Sequence, residues 1–238
     1  MLEVRDIHSY YGKSHILNGV SMDLKEGELV CLLGRNGVGK STTLKSIMGV
    51  VEPRQGSIRF RETELLGKKP YEIARLGVGY VPEDRRIFRS LTVHENLLMG
   101  IKSRKGENTM EGADAWTIER VYKLFPKLEE RKNNKGAHLS GGEQQMLTTV
   151  RTLMGNPQLI LVDEPTEGLA PLIVKDVLEV LSAVRKAGVT VLMVEQNFKA
   201  AITVADRYYI MSKGQMVFEG NTDALLAAED VRKNYLEV

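Results

Sequence analysis

Short apolar-rich runs separated by glycine open the chain. Leu2 to Ser9, His15 to Leu24 and Glu28 to Leu33 each suit a strand, with Gly12 and Gly27 as punctuation. The third run leads straight into a glycine-rich turn and a helix from Lys40 to Met48. Beyond Gly56 the pattern predicts a strand over Ser57 to Phe60, a helix over Pro70 to Leu76 and a strand over Gly77 to Pro82. From Leu91 to Gly155 helical periodicity takes over and the β-branched strand pattern fades. Within that stretch Thr92-Val93-His94-Glu95 reads as a capping box. The polar run Ser103 to Asp114 reads as an exposed loop, and Trp116 to Arg131 as one amphipathic helix. Alternation then returns, with strands at Leu159 to Val162 and Val189 to Glu195 and helices at Pro171 to Ala187 and Phe198 to Ala205. Two short strands and a terminal helix complete the pattern.

Alternating strands and helices fold as a mostly parallel sheet with crossover helices. The helical middle reads as an insertion into that sheet, and no internal repeat interrupts the plan. A length of 238 residues suits one large α/β domain, or a core with one inserted subdomain. With 42% hydrophobic and 27% charged residues, a core of adequate size can form without disulfides or a structural metal. The single cysteine, Cys31, excludes a disulfide framework and a Cys-based zinc site, and its apolar surroundings suit a small buried hydrophobe. Lys and Arg total 33 against 31 Asp and Glu, so the balance of +2 offers no electrostatic case for a nucleic-acid partner. The first six residues carry two acids and no apolar stretch, and nothing approaches a membrane span. A cytoplasmic protein is expected, one that must borrow membrane-embedded partners if it acts on a membrane process.

Three constellations carry chemistry. Gly34-Arg35-Asn36-Gly37-Val38-Gly39-Lys40-Ser41-Thr42 has the spacing of a phosphate loop and stands between a strand and a helix. Its glycines let backbone amides wrap phosphates at a helix N-terminus, Lys40 reaches β- and γ-phosphates, and Ser41 can ligate Mg²⁺. Leu159 to Val162 is an apolar strand ending in Asp163-Glu164-Pro165, which sets two acids at the tip facing a phosphate site. Asp163 suits a metal role and Glu164 that of the base polarising the attacking water. Leu139-Ser140-Gly141-Gly142-Glu143-Gln144-Gln145 opens a second helix, a second anion-binding N-terminus. Two such helix starts in one chain suggest a nucleotide held between them.

Together these motifs and their order resemble the ABC ATPase family over essentially the whole chain. The resemblance implies an α/β P-loop NTPase core with a mostly parallel sheet, an N-terminal antiparallel β subdomain and an inserted helical subdomain. Residues 1–87 and 156–238 would form the core and 88–155 the helical unit bearing Ser140, Gly141 and Gly142. It implies ATP and Mg²⁺ as cofactors, held through Gly34, Asn36, Gly37, Gly39, Lys40, Ser41 and Thr42, with Ser41, Glu83 and Asp163 toward the metal. Tyr11 matches the aromatic that stacks on adenine, with Tyr10 as the competing choice. Lys40, Glu164 and Gln196 would carry hydrolysis. Three positions depart from the common pattern: Glu83 replaces a glutamine, Ala170 an aspartate and Gln196 a histidine.

Val81-Pro82-Glu83, Gly168-Leu169-Ala170-Pro171 and Val194-Glu195-Gln196-Asn197 are similar to one subgroup, the LivF-type subunits of bacterial branched-chain amino acid importers. Relatives that import urea or amides share these features, so the transported solute rests on resemblance alone. The implied partners are a second, related ATPase placed head to tail, two membrane permeases and, indirectly, a solute-binding protein. Homodimers are expected to be possible in isolation. The chain would then sit on the inner face of the membrane, with Arg85, Arg86, Ile87 and Phe88 as docking residues, although Phe88 would also suit a core position. A soluble ABC ATPase acting on DNA or ribosomes would usually carry coiled-coil insertions or tandem cassettes, absent from this sequence. A regulatory subunit that hydrolyses poorly is kept open by Gln196 and opposed by Glu164.

Overall fold

The computed structural model describes residues 1–102 and 115–236, so the expected loop from Ser103 to Asp114 lies outside the described residues. The chain begins with strands β1 (Leu2–Tyr11) and β2 (Ser14–Leu24), then β3 (Leu29–Leu33) and helix α1 (Lys40–Ile47). Strands β4 (Gln55–Phe60) and β5 (Thr63–Glu64), helix α2 (Pro70–Arg75) and strand β6 (Val78–Val81) follow. Next come α3 (Val93–Leu98), α4 (Ile118–Leu124), α5 (Pro126–Glu130) and α6 (Gly141–Leu153). The last third holds β7 (Leu159–Asp163), α7 (Pro171–Lys186), β8 (Thr190–Glu195), α8 (Phe198–Ala201), β9 (Arg207–Ser212) and β10 (Gln215–Asn221). Helices α9 (Thr222–Ala227) and α10 (Glu229–Tyr235) end the described chain.

Two sheets result. One is antiparallel, in the order β2-β1-β4-β5; the other has the order β10-β9-β3-β8-β7-β6. In the second sheet β3, β6, β7, β8 and β9 run parallel, and β10 pairs antiparallel at the edge. Alternation along a strand sends successive side chains to opposite faces, and here both faces are dry. Cys31, Ile160, Val162, Val191 and Met193 join a core shared with the helices α3, α4, α6 and α7. Val30, Leu32, Leu161, Leu192 and Val194 join a second core built with α1 and the antiparallel sheet. A strand buried on both sides must be apolar throughout, which is why β3 and β7 read as unbroken apolar runs. Burial also pushes the Cys31 thiol well up, as befits a side chain that packs and does not react.

The helical stretch differs from its sequence pattern at one point. Trp116 to Arg131 is two short helices, because Pro126 has no amide to continue α4 and forces Phe125 to φ −129° and ψ 68°. Likewise the helix expected over Phe198 to Ala205 stops at Ala201. Beyond it three-residue bonds enter, Thr203 N to Ala200 O at 3.2 Å and Val204 N to Ala201 O at 3.2 Å, alongside a last four-residue bond from Ala205 N to Ala201 O at 3.1 Å. The terminal helix is also split, at Ala228. α6 packs directly on α7: a methyl group at Gly142 would collide with Ile173, so this position must stay glycine for the two helices to meet.

Candidate functional site

β3 hands the chain to α1 through the turn from Gly34 to Gly39. Gly39 sits at φ +116°, and a Cβ there would lie 2.8 Å from Leu17 Cδ2, so the turn is pressed onto β2. The β9–β10 turn locks this arrangement: Gly214 N donates to Val38 O at 2.9 Å, and Asn18 N donates to Gly214 O at 2.8 Å. Lys40 is 3% exposed. Its Nζ donates to Gly34 O at 3.0 Å and Arg35 O at 3.1 Å and pairs with Glu164 Oε1 at 2.9 Å. A buried ammonium requires such partners, since desolvation disfavours a lone charge.

The tip of β7 faces that turn. Asp163, 2% exposed, accepts from Ser41 Oγ at 2.7 Å on one oxygen and from Tyr80 OH at 2.8 Å on the other. A hydroxyl and a carboxylate this close are a hard-oxygen pair suited to Mg²⁺. Among the described residues no cluster of three or more His, Cys, Asp or Glu could hold an ion unaided, so further ligands would have to come from phosphate and water. Glu83 is exposed at the start of the segment after β6. Partial burial, then the charges of Glu164 and Asp163, push its carboxyl up.

Glu164 takes a left-handed conformation, φ +41°, which costs a non-glycine residue on the order of 1–3 kcal/mol. Its amide is anchored to Val194 O at 3.1 Å. Burial opposes ionisation of its carboxyl, but hydrogen bonds with Glu167 and Lys40 outweigh this and hold it below the usual range. Glu167 is the complement: its hydrogen bond to Glu164, then burial and neighbouring acids, push it up to about 7. The pair therefore shares a proton near neutrality, with the charge on Glu164.

Glu195 ends β8 and is 3% exposed. It accepts from Thr166 N at 3.1 Å, Thr166 Oγ1 at 2.7 Å, Gln196 N at 3.1 Å and Asn197 N at 3.3 Å. This one carboxyl thus joins the loop after Glu164 to the exposed Gln196. Neither Glu195 nor Tyr80 stands out in the sequence as a site residue. The signals that could have found them are an acid ending an apolar strand and a tyrosine on the strand beside β7.

Ser140 caps α6, accepting from Glu143 N at 3.3 Å, while its own amide donates to Glu143 at 2.8 Å. From the same helix Thr148 donates to Arg85 O and Arg151 to Arg86 O at 2.8 Å. Those two carbonyls belong to consecutive left-handed residues, φ +62° and +38°. Phe88 is 45% exposed with the Arg151 guanidinium 5.0 Å above its ring, so it is no core residue. Arg85 turns inward: a Cβ on Gly141 would meet its Nη1 at 2.8 Å. An open groove of about 390 Å³ is lined by Glu83, Arg85, Arg86, Ile87, Gln144 and Glu167.

On the far side of the turn, Tyr10 is engaged, stacked on His15 at 4.2 Å with Arg54 4.3 Å over its other face. Tyr11 ends β1 at 49% exposure. Tyr11 pairs with Ser14, three residues along β2 from the Leu17 that touches Gly39. That is about 10 Å of strand, in keeping with a base and its phosphates.

A family model described as ABC transporter matches residues 17–167. The chain is 43% identical, over 99% of both chains, to the high-affinity branched-chain amino acid transport ATP-binding protein BraG of Pseudomonas aeruginosa. It is similar to the ADP conformation of MJ1267, an ATP-binding cassette of an ABC transporter, at TM-score 0.82 and 28% identity, covering 98% of this chain and 97% of that one. It is also similar to the dimeric structure of MJ0796, a bacterial ABC transporter cassette, at TM-score 0.77 and 26% identity over 93% and 98% of the two chains.

Proposed function

Because this chain belongs to the ABC transporter ATP-binding family, we propose that its ATPase activity drives uptake of branched-chain amino acids through membrane permease partners. An ATP-hydrolysing transporter subunit is what the family membership gives, in preference to a regulatory subunit that hydrolyses poorly. The solute is carried by one observation, the 43% identity over the whole length to a branched-chain amino acid transport subunit.

The chain's own residues support a cycle. Lys40 and Glu164 form an ion pair at 2.9 Å. A γ-phosphate entering beside Lys40 would take over that ion pair and free the Glu164 carboxylate to accept a proton from water. Mg²⁺ would be held by Ser41 and Asp163, with Glu83 toward its water shell, and would supply neutralisation of the phosphate charge. Gln196 would donate its amide to a phosphate oxygen, a weaker positioning contact than a histidine. Gly34, Asn36, Gly37, Gly39 and Thr42 would line the phosphates, and Tyr11 would stack on adenine.

Residues 88–155 would act as the moving helical unit against a core of 1–87 and 156–238. Ser140, Gly141 and Gly142 would close on the nucleotide of a partner cassette, a related but different chain in the cell. The groove beside Arg86 and Phe88 would dock the permeases, with a solute-binding protein acting from the other side. Among the described residues no helix is long and apolar enough to cross a membrane, which supports peripheral attachment through those permeases. The test is reconstitution in vesicles with a candidate permease pair, partner ATPase and solute-binding protein from the same organism. ATP-driven uptake of leucine, but not of urea or amides, is expected. Transport of urea or amides in preference to leucine would overturn the substrate.

A further inference from the structure

We propose that Arg54 is a positioning residue for the base end of the nucleotide site, holding both neighbours of Tyr11 so that its ring is presented in one orientation. The proposal rests on the reading that Tyr11 stacks on adenine. Tyr11 is 49% exposed at the end of β1, where an aromatic would ordinarily sample several rotamers and the turn after it would fray. Arg54 meets β1 at two points and the turn just beyond it at a third, so that its contacts flank Tyr11. Its amide donates to His8 O at 2.8 Å, its guanidinium covers the Tyr10 ring at 4.3 Å, and its Nη2 donates to Gly12 O at 2.9 Å.

The opposite face of Tyr10 is covered as well. His15 stacks on it at 4.2 Å with the rings 8° from parallel, and His15 Nε2 lies 3.1 Å from His8 Nδ1. Arg54, Tyr10, His15 and His8 therefore form one column across β1 and β2. Alternation on the strand sends Tyr10 into this column and Tyr11 to the other face. Tyr10 is the fixed partner and Tyr11 the presented one.

Arg54 also closes the segment that leaves α1, the helix bearing Lys40 and Ser41, before β4 begins at Gln55. The same short connection thus joins the phosphate end of the site to its base end. A planar guanidinium can stack flat on a ring while an edge N–H donates to a carbonyl in fixed geometry, whereas an ammonium is a hydrated point charge on a flexible stem that holds both contacts less firmly.

The experiment compares calorimetric binding of ATP and of inorganic triphosphate by the purified chain and its Arg54→Ala, Arg54→Lys and Tyr11→Ala variants and the Arg54→Ala/Tyr11→Ala pair. Arg54→Ala should weaken ATP about 3–10-fold and leave triphosphate unchanged, with Arg54→Lys between it and the parent. Because Arg54 acts through Tyr11, the double variant should bind ATP no more weakly than Tyr11→Ala alone. Parental ATP affinity in Arg54→Ala, an equal loss for triphosphate, or additive losses in the double variant would overturn the proposal. If Tyr11→Ala itself binds ATP like the parent, the base-stacking reading falls first and takes the role of Arg54 with it.

Discussion

The starts of α1 and α6 offer the same resource, backbone amides at a helix N-terminus, in opposite surroundings. At α1 the polar groups are already organised from within the chain. Lys40 is 3% exposed and bound to two carbonyls and Glu164, and Ser41 is bound to Asp163. At α6, Ser140 is exposed, and the bonds described for it close a capping box with Glu143. One start has its polar groups engaged within the chain; the other presents an exposed, capped helix end. The contrast fits the proposed arrangement, in which the nucleotide held at the α1 start of one chain is closed by the α6 start of a second.

The largest effect that could break this contrast is at Lys40. Lys40→Ala removes the buried cation and should weaken ATP binding to the single chain by at least about 10²-fold. Ser140→Arg, placed on the exposed start, should leave single-chain affinity within about twofold, since surface substitutions rarely matter more. Titration with a fluorescent ATP analogue measures both, and similar losses at the two positions would erase the distinction.

Smaller, and aimed at the α1 side of the contrast, is the effect of Gln196→His. Restoring a side chain of firmer reach should raise turnover about 10-fold, below the 10²-fold that a full loss of positioning can cost. ATP affinity should scarcely change. A steady-state assay giving a parental rate would mean that the Gln196 amide already does what an imidazole does.

The smallest effect concerns the shared proton. Glu167 rises from an ordinary 4.5 to about 7 on folding, so its contribution to stability is present at low pH and is lost as pH rises through 7. Glu167→Gln keeps a hydrogen-bond donor and cannot ionise. Its Tm should match the parent near pH 4.5 and exceed it by about 1–3 °C at pH 8, a gap kept small by the exposure of the group. A gap that does not change between those pH values would show that no proton is shared there.

The parts of this site that the sequence reveals are the local ones. The turn from Gly34 to Thr42 and the tip of β7 are written in consecutive residues whose spacing has a direct physical meaning. The double burial of β3 and β7 is equally plain in their unbroken apolar runs. Contacts set by register are hidden. Tyr80 reaches Asp163 across 83 residues, Thr166 reaches Glu195 across 29, and Arg54 reaches Gly12 across 42. Nothing at those positions announces a partner until β6, β7 and β8 are laid side by side and the residue before β4 is brought to the end of β1. The break at Phe125 is hidden differently: the amphipathic period runs through it, and only the missing amide of Pro126 decides against one helix.

The two-chain site is tested most directly by complementation in a Glu164→Gln background, where loss of the base should slow hydrolysis about 10²–10⁴-fold and let ATP-bound dimers accumulate. Two chains are prepared, one also carrying Lys40→Ala and the other Ser140→Arg, and each is examined by analytical ultracentrifugation with ATP. Each alone should remain monomeric, because every site it could build lacks one half. Mixed, they should form a dimer with one bound ATP, pairing the intact α1 start of one chain with the intact α6 start of the other. A mixture that stays monomeric under conditions where the Glu164→Gln chain alone dimerises would contradict the account.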